Sequence, residues 1–338
     1  MASPSDVRGL QALFDDGSIA PREVVAVLAK SEGNGGRNDF TRELAVRAFA
    51  DAIGARTGEA REAVEARVVL SVSGGCEGVA SPHAVVLGRR EASAPAPTGP
   101  RLALAVGRTR AFTPVEIGTR AQVDETARAL RALIADLGVG PADVHLAHVK
   151  AAIAGPEGAA ARCDMLHARA ASALGVAAAL GEIDGALATD AAIARDFSLS
   201  SSVASVSAKP GLAASEIFLL ASSTEWGGDL VVDHGVMSDP IDAASVRAVL
   251  ARLGVEGDPA RVVGAFAKAE AHPSRRVRGL RHVMLDDDDV GDTRWARAAV
   301  AAVVASAVGH TAVYVSTRAE HMGPLGGGPL TIIARTAS

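Results

Sequence analysis

Three lysines end three copies of one short apolar run: Glu23-Val-Val-Ala-Val-Leu-Ala-Lys30, Asp143-Val-His-Leu-Ala-His-Val-Lys150 and Arg261-Val-Val-Gly-Ala-Phe-Ala-Lys268. The chain spends only four lysines against thirty arginines, so keeping lysine at one repeated position calls for a chemical reason. An arginine holds its proton in any protein environment. A desolvated lysine can lose it near neutral pH and serve as a base. Each of these lysines is followed, 43 to 57 residues later, by a serine at the end of a second apolar run: Ser73, Ser207 and Ser316. A serine hydroxyl attacks a carbonyl only when a base takes its proton, and a neutral lysine can do so. Ser73-Gly-Gly-Cys-Glu77 and Ser316-Thr-Arg-Ala-Glu320 share the form Ser-x-x-x-Glu, while Ser205 rivals Ser207 for the middle place. Arginines recur with them: Ala168-Arg169-Ala-Ala matches Ala296-Arg297-Ala-Ala, and Arg42 opens the corresponding segment of the first copy. The bland alternative is lysines at strand ends with their charge in water, and arginines on helix surfaces.

The elements that must carry these groups are legible. Each apolar run has the length of a buried strand and follows an amphipathic helix, predicted over 6–14, 123–137 and 243–253. Gly/Pro turns join helix to strand. A further helix over 41–53 and strands over 66–72 and 83–87 complete a first unit, 1–92; the Ala/Pro-rich segment 93–100 reads as a linker. A second unit, 101–238, adds a strand over 101–108, a helix over 165–180 and a strand over 216–221; a third, 239–338, closes on a strand over 330–334. A period near a hundred residues exceeds any solenoid repeat, so three similar domains in one chain are expected. Packed about a pseudo-threefold axis, they would bring three Ser, three Lys and three Arg to one centre. Such a site suits a small flat ring with carbonyls at threefold positions.

The totals exclude other classes. A net charge of −5 with mixed signs and 3% aromatic content argues against nucleic acid and anionic membranes. Two cysteines, Cys76 and Cys163, give neither a disulfide framework nor a zinc spacing, which suits a cytoplasmic protein. The first residues show no secretory signal, and the longest apolar run is too short to span a bilayer. There is no Gly-x-Ser-x-Gly elbow, no His-Glu-x-x-His and no phosphate loop. The acidic run 286–289 lacks the alternation of a calcium-binding EF-hand loop and reads as a solvated turn.

Taken together, Lys30-Ser-Glu-Gly-Asn-Gly with Asn38-Asp-Phe-Thr-Arg42, Ser73-Gly-Gly-Cys-Glu-Gly78, Ala170 to Glu182, Ser201-Ser-Val-Ala-Ser-Val-Ser-Ala208 and Ala319 to Pro329 resemble the ring-opening amidohydrolases, the cyanuric acid hydrolases and barbiturases. The resemblance runs the length of the chain. It implies an α/β fold of three structurally similar domains arranged with pseudo-threefold symmetry around a central barrel-like site. It implies Ser207 as nucleophile and Lys150 as its base. Arg42, Ser73, Arg169, Arg297, Ser316, Lys30 and Lys268 would hold the substrate, with backbone at Gly74, at Val206 or Ala208, and at Thr317. It also implies a structural divalent cation, magnesium or calcium, on Glu270 and on carbonyls of Ala319, Met322, Gly323, Pro324 and Gly327. No organic cofactor is implied. The partner is a small planar heterocycle, and the assembly a homotetramer. Ring-opening of cyanuric acid to carboxybiuret by Ser–Lys acyl transfer is the leading expectation; barbiturase or another cyclic imide or ureide hydrolase is the alternative, and a catalytically silent heterocycle-binding relative is a reading of another class. The chain departs from the family pattern at Ser316-Thr317-Arg318, where Ser-Gly-Gly is usual, at Lys209-Pro-Gly211, and at His321-Met322, where His-Gln is usual.

Overall fold

A computed structural model describes residues 1–36, 38–91, 99–156 and 158–337. Most of the predicted linker, 93–100, lies outside the described residues. The first unit comprises α1 (Arg8–Asp15), β1 (Val24–Ser31), α2 (Thr41–Thr57), α3 (Arg61–Arg67), β2 (Val69–Gly74) and β3 (His83–Gly88). The second comprises β4 (Arg101–Ala111), α4 (Arg120–Leu137), β5 (Val144–Ile153), α5 (Met165–Leu180), β6 (Ala204–Pro210) and β7 (Ala214–Ser223). The remainder is β8 (Leu230–Met237), α6 (Ala243–Arg252), β9 (Val262–Ala269), the short pair β10 (Arg276–Val277) and β11 (Leu280–Arg281), α7 (Asp292–Val308), β12 (Tyr314–Thr317) and β13 (Gly328–Arg335).

Three sheets repeat one plan. Their orders are β2-β1-β3, β4-β7-β5-β6 and β12-β9-β13-β8. In each, the lysine strand pairs in parallel with the serine strand and antiparallel with a closing strand. Just before each lysine strand stands a one-turn helix opened by proline: Pro21–Glu23, Pro141–Asp143 and Pro259–Arg261. Proline's fixed φ and missing N–H suit that first helical position. Two elements depart from the sequence expectation. Residues 66 and 67 end α3 instead of starting a strand; seven residues with a single buried anchor, Val64, carry too little periodicity to betray a helix. The strand β8, grouped above with the second unit, pairs along its whole length with β13 and so belongs to the third sheet.

Period-two alternation decides which side chains reach the centre. On β1, Val27 and Ala29 pack under the helices of their own unit, while Ala26, Leu28 and Lys30 share the other face. The inner faces of all three sheets meet in one apolar plug: Leu28, Leu104, Leu146, Phe218, Leu220, Phe266 and Ile333 are all buried in it. The lysines are the next inward residues along β1, β5 and β9, after Leu28, His148 and Phe266. The fold is therefore three concatenated α/β units around a central barrel whose lower part is filled and whose strand ends carry the lysines.

Candidate active site

Hydrogen-bond register sets each lysine beside its serine: Lys30 opposite Ser73, Lys150 opposite Ser207, and Lys268 opposite Ser316. Ser205 stands one pleat lower, opposite His148. Above this layer opens a cavity of about 690 Å³ lined by all three serines and by Arg42, Arg169 and Arg297. Gly74, Ala208 and Thr317, the residues after the serines, line it too. Val206 does not: its N–H donates to Met322 Sδ at 3.2 Å and its carbonyl accepts from Lys268 at 2.8 Å. The first residues of α5, with Asp164 as N-cap, and Thr293 of α7 also border the cavity. Positive helix ends thus add to the arginines there.

The three copies are not equivalent. Lys30 donates to Gly74 O at 3.0 Å, and Lys268 is held by Ser316 Oγ (3.1 Å), Val206 O and Thr317 O (3.1 Å). Lys150 has one long bond, to Val72 O at 3.3 Å, and it alone of the three lines the cavity. The serines divide likewise. Ser73 accepts from Tyr314 at 2.8 Å and Ser316 from Lys268, whereas Ser207 Oγ is buried with no hydrogen-bond partner among the described residues. Of the three serine hydroxyls, Ser207 Oγ is thus the one that no described protein group holds, and Ser207 lines the cavity.

All three amines are completely or nearly buried, and burial pulls each pKa down to about 7. The next cause in each case is an arginine from another unit. Arg297 of the third unit lowers Lys30, Arg42 of the first lowers Lys150, and Arg169 of the second lowers Lys268. Two of these arginines are themselves clamped by carboxylates across a unit boundary. Arg297 donates twice to Glu77 (2.5 and 2.6 Å), and Arg169 twice to Glu320 (2.9 and 2.8 Å). These are the glutamates of the Ser-x-x-x-Glu repeat. The middle unit has Gly211 at that place, and Arg42 bonds instead to Gly36 O at 2.5 Å, with Asp39 3.9 Å away. Glu320→Ala would leave the Arg169 guanidinium buried and unpaired; a loss of about 3–5 kcal/mol is expected in denaturant unfolding.

Two participants escaped the sequence reading. Tyr314, the single tyrosine, is fully buried, holds Ser73 and lies with its ring 5.5 Å from Lys30 Nζ. His148 bonds Ser71 at 2.7 Å in the layer beneath. Both stand two residues before a site residue, Ser316 and Lys150, so strand periodicity alone would have put them on the inner face. Arg318 also lines the cavity; it pairs with Asp292 at 3.0 Å and adopts a left-handed φ of 67°. Its counterpart Gly75 has a φ of 97°, and a Cβ there would lie 2.5 Å from the Arg297 guanidinium. The third unit therefore strains an arginine into a place where the first uses glycine.

Beside β9, Glu270 Oε2 is buried without a hydrogen-bond partner among the described residues, and burial with neighbouring Glu320 raises the pKa of this carboxyl. Its other contact is the Ala319 N–H. In the adjoining turn, Ala319 O and Pro324 O accept from Met322 and Gly327, and every carbonyl keeps a second lone pair. An orphaned carboxylate oxygen beside carbonyls fits a hard divalent cation.

Known proteins resemble this chain throughout. A family model described as amidohydrolase ring-opening protein matches residues 1–335. A cyanuric acid amidohydrolase of Pseudomonas sp. (strain ADP) is 45% identical over 350 residues, covering 98% of this chain and 96% of that protein. A cyclic amide hydrolase of Azorhizobium caulinodans is 41% identical over 356 residues, covering 99% and 97%. A solved cyanuric acid hydrolase superposes with a TM-score of 0.94 at 43% identity, over 99% of this chain and 97% of that one. Another, from A. caulinodans, gives 0.91 at 41%, over 100% and 97%.

Proposed function

Because this chain belongs to the ring-opening amidohydrolase family, we propose that it opens cyanuric acid to carboxybiuret with Ser207 as nucleophile and Lys150 as base. The observation that carries this reading is the contrast among the three pairs: a serine hydroxyl without a partner among the described residues, beside the one of the three lysines that lines the cavity. The substrate ring lies across the three strand ends, each carbonyl facing one serine and the backbone that follows it. Neutral Lys150 takes the Ser207 proton as Oγ bonds to a ring carbon. The oxyanion that forms is stabilised by backbone N–H groups at the strand ends and by arginine charge. The C–N bond breaks, and the ring nitrogen leaves with the proton that Lys150 carried. Water then attacks the acyl-enzyme, passes a proton through Lys150 back to Ser207, and frees the carboxylated product. Ser73, Ser316 and the three arginines orient the ring; Lys30 and Lys268, tied to backbone, hold the serine-bearing strand ends in place.

A second reading has a specific observation behind it. Thr317 Oγ1 takes an N–H of Arg297 at 3.0 Å, where the first unit offers only Gly74, so the first and third units present different groups to a carbonyl. That suits a ring lacking full threefold symmetry, such as barbituric acid or another cyclic imide. Loss of ring absorbance on cyanuric acid, barbituric acid and a panel of cyclic imides tests both readings. Turnover of cyanuric acid well ahead of the others supports the first, and preference for a less symmetric ring the second. Tight binding without turnover of any of them makes the protein a silent relative.

A structural divalent cation completes the proposal, held by Glu270 and by carbonyls of Ala319, Met322, Gly323, Pro324 and Gly327. It would anchor the turn carrying Glu320, and through it Arg169. Chelation with EDTA is expected to lower the melting temperature by several degrees, with recovery in magnesium or calcium. Glu270→Gln should abolish that response in differential scanning fluorimetry. The proposed assembly is a homotetramer, which light scattering on the eluting protein checks.

A further inference from the structure

At the other end of the central barrel, two histidines face each other across the seam between the second and third sheets. His145 lies on β5 and His234 on β8. Their Nδ1 atoms are 2.9 Å apart, and Asp233 Oδ1 is 3.6 Å from His145 Nδ1. Among the described residues this is the one group of three His, Cys, Asp or Glu side chains whose ligand atoms all fall within 4.8 Å of one another. It is not part of the catalytic layer. Five residues of strand separate His145 from Lys150, roughly 16 Å at the rise of an extended chain.

We propose that His145, His234 and Asp233 form a binding site for a borderline divalent ion of the zinc class, which pins the second unit to the third. The hydrogen bonds around His145 admit the tautomer that this needs. His145 Nε2 lies 3.0 Å from Ser222 Oγ and can donate there, which turns the bare lone pair of Nδ1 toward His234. Thr331 of β13 donates to the His145 carbonyl at 2.7 Å, fixing the strand that carries the ring. Such outer contacts are what orient a ligating imidazole. The 2.9 Å contact is a hydrogen bond in which one ring donates and the other accepts, so one proton lies between the two nitrogens. A zinc ion would take the place of that proton. Zn–N bonds near 2.0–2.1 Å in a tetrahedron put the two nitrogens about 3.3 Å apart, a small opening from the present separation. Asp233 is positioned as third ligand: Arg252 Nε donates to its Oδ2 at 2.6 Å, while Oδ1 accepts the backbone N–H of His234 at 2.7 Å and lies 3.6 Å from His145 Nδ1. Both rings and the carboxylate are partly open to solvent, which leaves water for the fourth position. Two imidazoles and one carboxylate favour zinc, cobalt or copper over magnesium or calcium, so this site and the oxygen-only donors around Glu270 do not compete for one class of ion.

The test is a titration of metal-stripped, full-length protein with Co²⁺ and Zn²⁺, in excess Mg²⁺ and in a Cys76→Ser background that removes the exposed part of the thiol chemistry. One Co²⁺ per chain with the intense visible bands of tetrahedral coordination is expected, displaced by Zn²⁺. His234→Gln should weaken binding at least tenfold and remove the bands, and His145→Asn should do the same. Zinc should raise the melting temperature of the parent and leave that of His234→Gln unmoved. Absence of the bands in the parent, or equal stoichiometry in parent and His234→Gln, overturns the proposal and leaves the pair as a hydrogen bond only. If His145→Asn fails to fold, the half-buried His234 variant still decides.

Discussion

Ser207→Ala is expected to fold as the parent does and to lose about 10⁴–10⁶-fold in kcat, the scale set by removal of a serine nucleophile elsewhere. The structure makes this substitution unusually clean. Ser207 Oγ bonds to no group among the described residues, so its removal breaks no protein–protein hydrogen bond there. Deleting an unpaired buried hydroxyl should leave stability level or slightly raised. Ser73→Ala and Ser316→Ala behave differently. Each deprives a buried partner, Tyr314 or Lys268, of an acceptor. They should cost stability and substrate affinity while retaining measurable chemistry. Steady-state kinetics with thermal melts on all three variants checks the division. A Ser207→Ala protein within tenfold of the parent's kcat would remove the nucleophile from this account.

The pH profile carries the second large effect. With the Lys150 pKa lowered to about 7, kcat/KM should climb tenfold per pH unit below that value and level off above it, because the neutral amine is the active form. Lys150→Arg should flatten this limb and lower kcat/KM by about 10³-fold or more, since a guanidinium cannot give up its proton. Removing the cation that assists deprotonation, in Arg42→Gln, should move the inflection upward. Stability follows the same groups with its own sign. A lysine at about 7 folded and 10.5 unfolded binds fewer protons in the folded state between those values. Unfolding free energy therefore rises with pH from about 7, and the destabilisation is fully present below it. Burial raises Cys76 and Tyr314 above their ordinary values, which opposes the gain at the alkaline end. The melting temperature should consequently increase from pH 7 to about 9, with Lys30→Met largely removing the share due to that amine.

Much of the arrangement could be read from residue order because strands obey a short rule. A lysine closing a continuous apolar run and a serine closing the strand parallel to it stand at the same height in all three sheets. α5 matches its expected limits because Asp164 caps one end and Gly181, with a φ of 72°, ends the other. The α3 helix and the partnership of β8 were hidden because neither is decided locally: α3 is short with one buried anchor, and β8 is claimed by a strand ninety residues later. The pairing of each arginine with a lysine of a different unit was equally hidden. Spacing along the chain says which residues repeat, not which copy they lean on.

That borrowing has a consequence for any attempt to take the protein apart. Every fragment holding one sheet keeps its lysine yet forfeits the cation that helps discharge it, and sends its own arginine away with nothing to act on. Competence belongs to the closed circuit of three, so damage to one segment will surface as a fault in its neighbour.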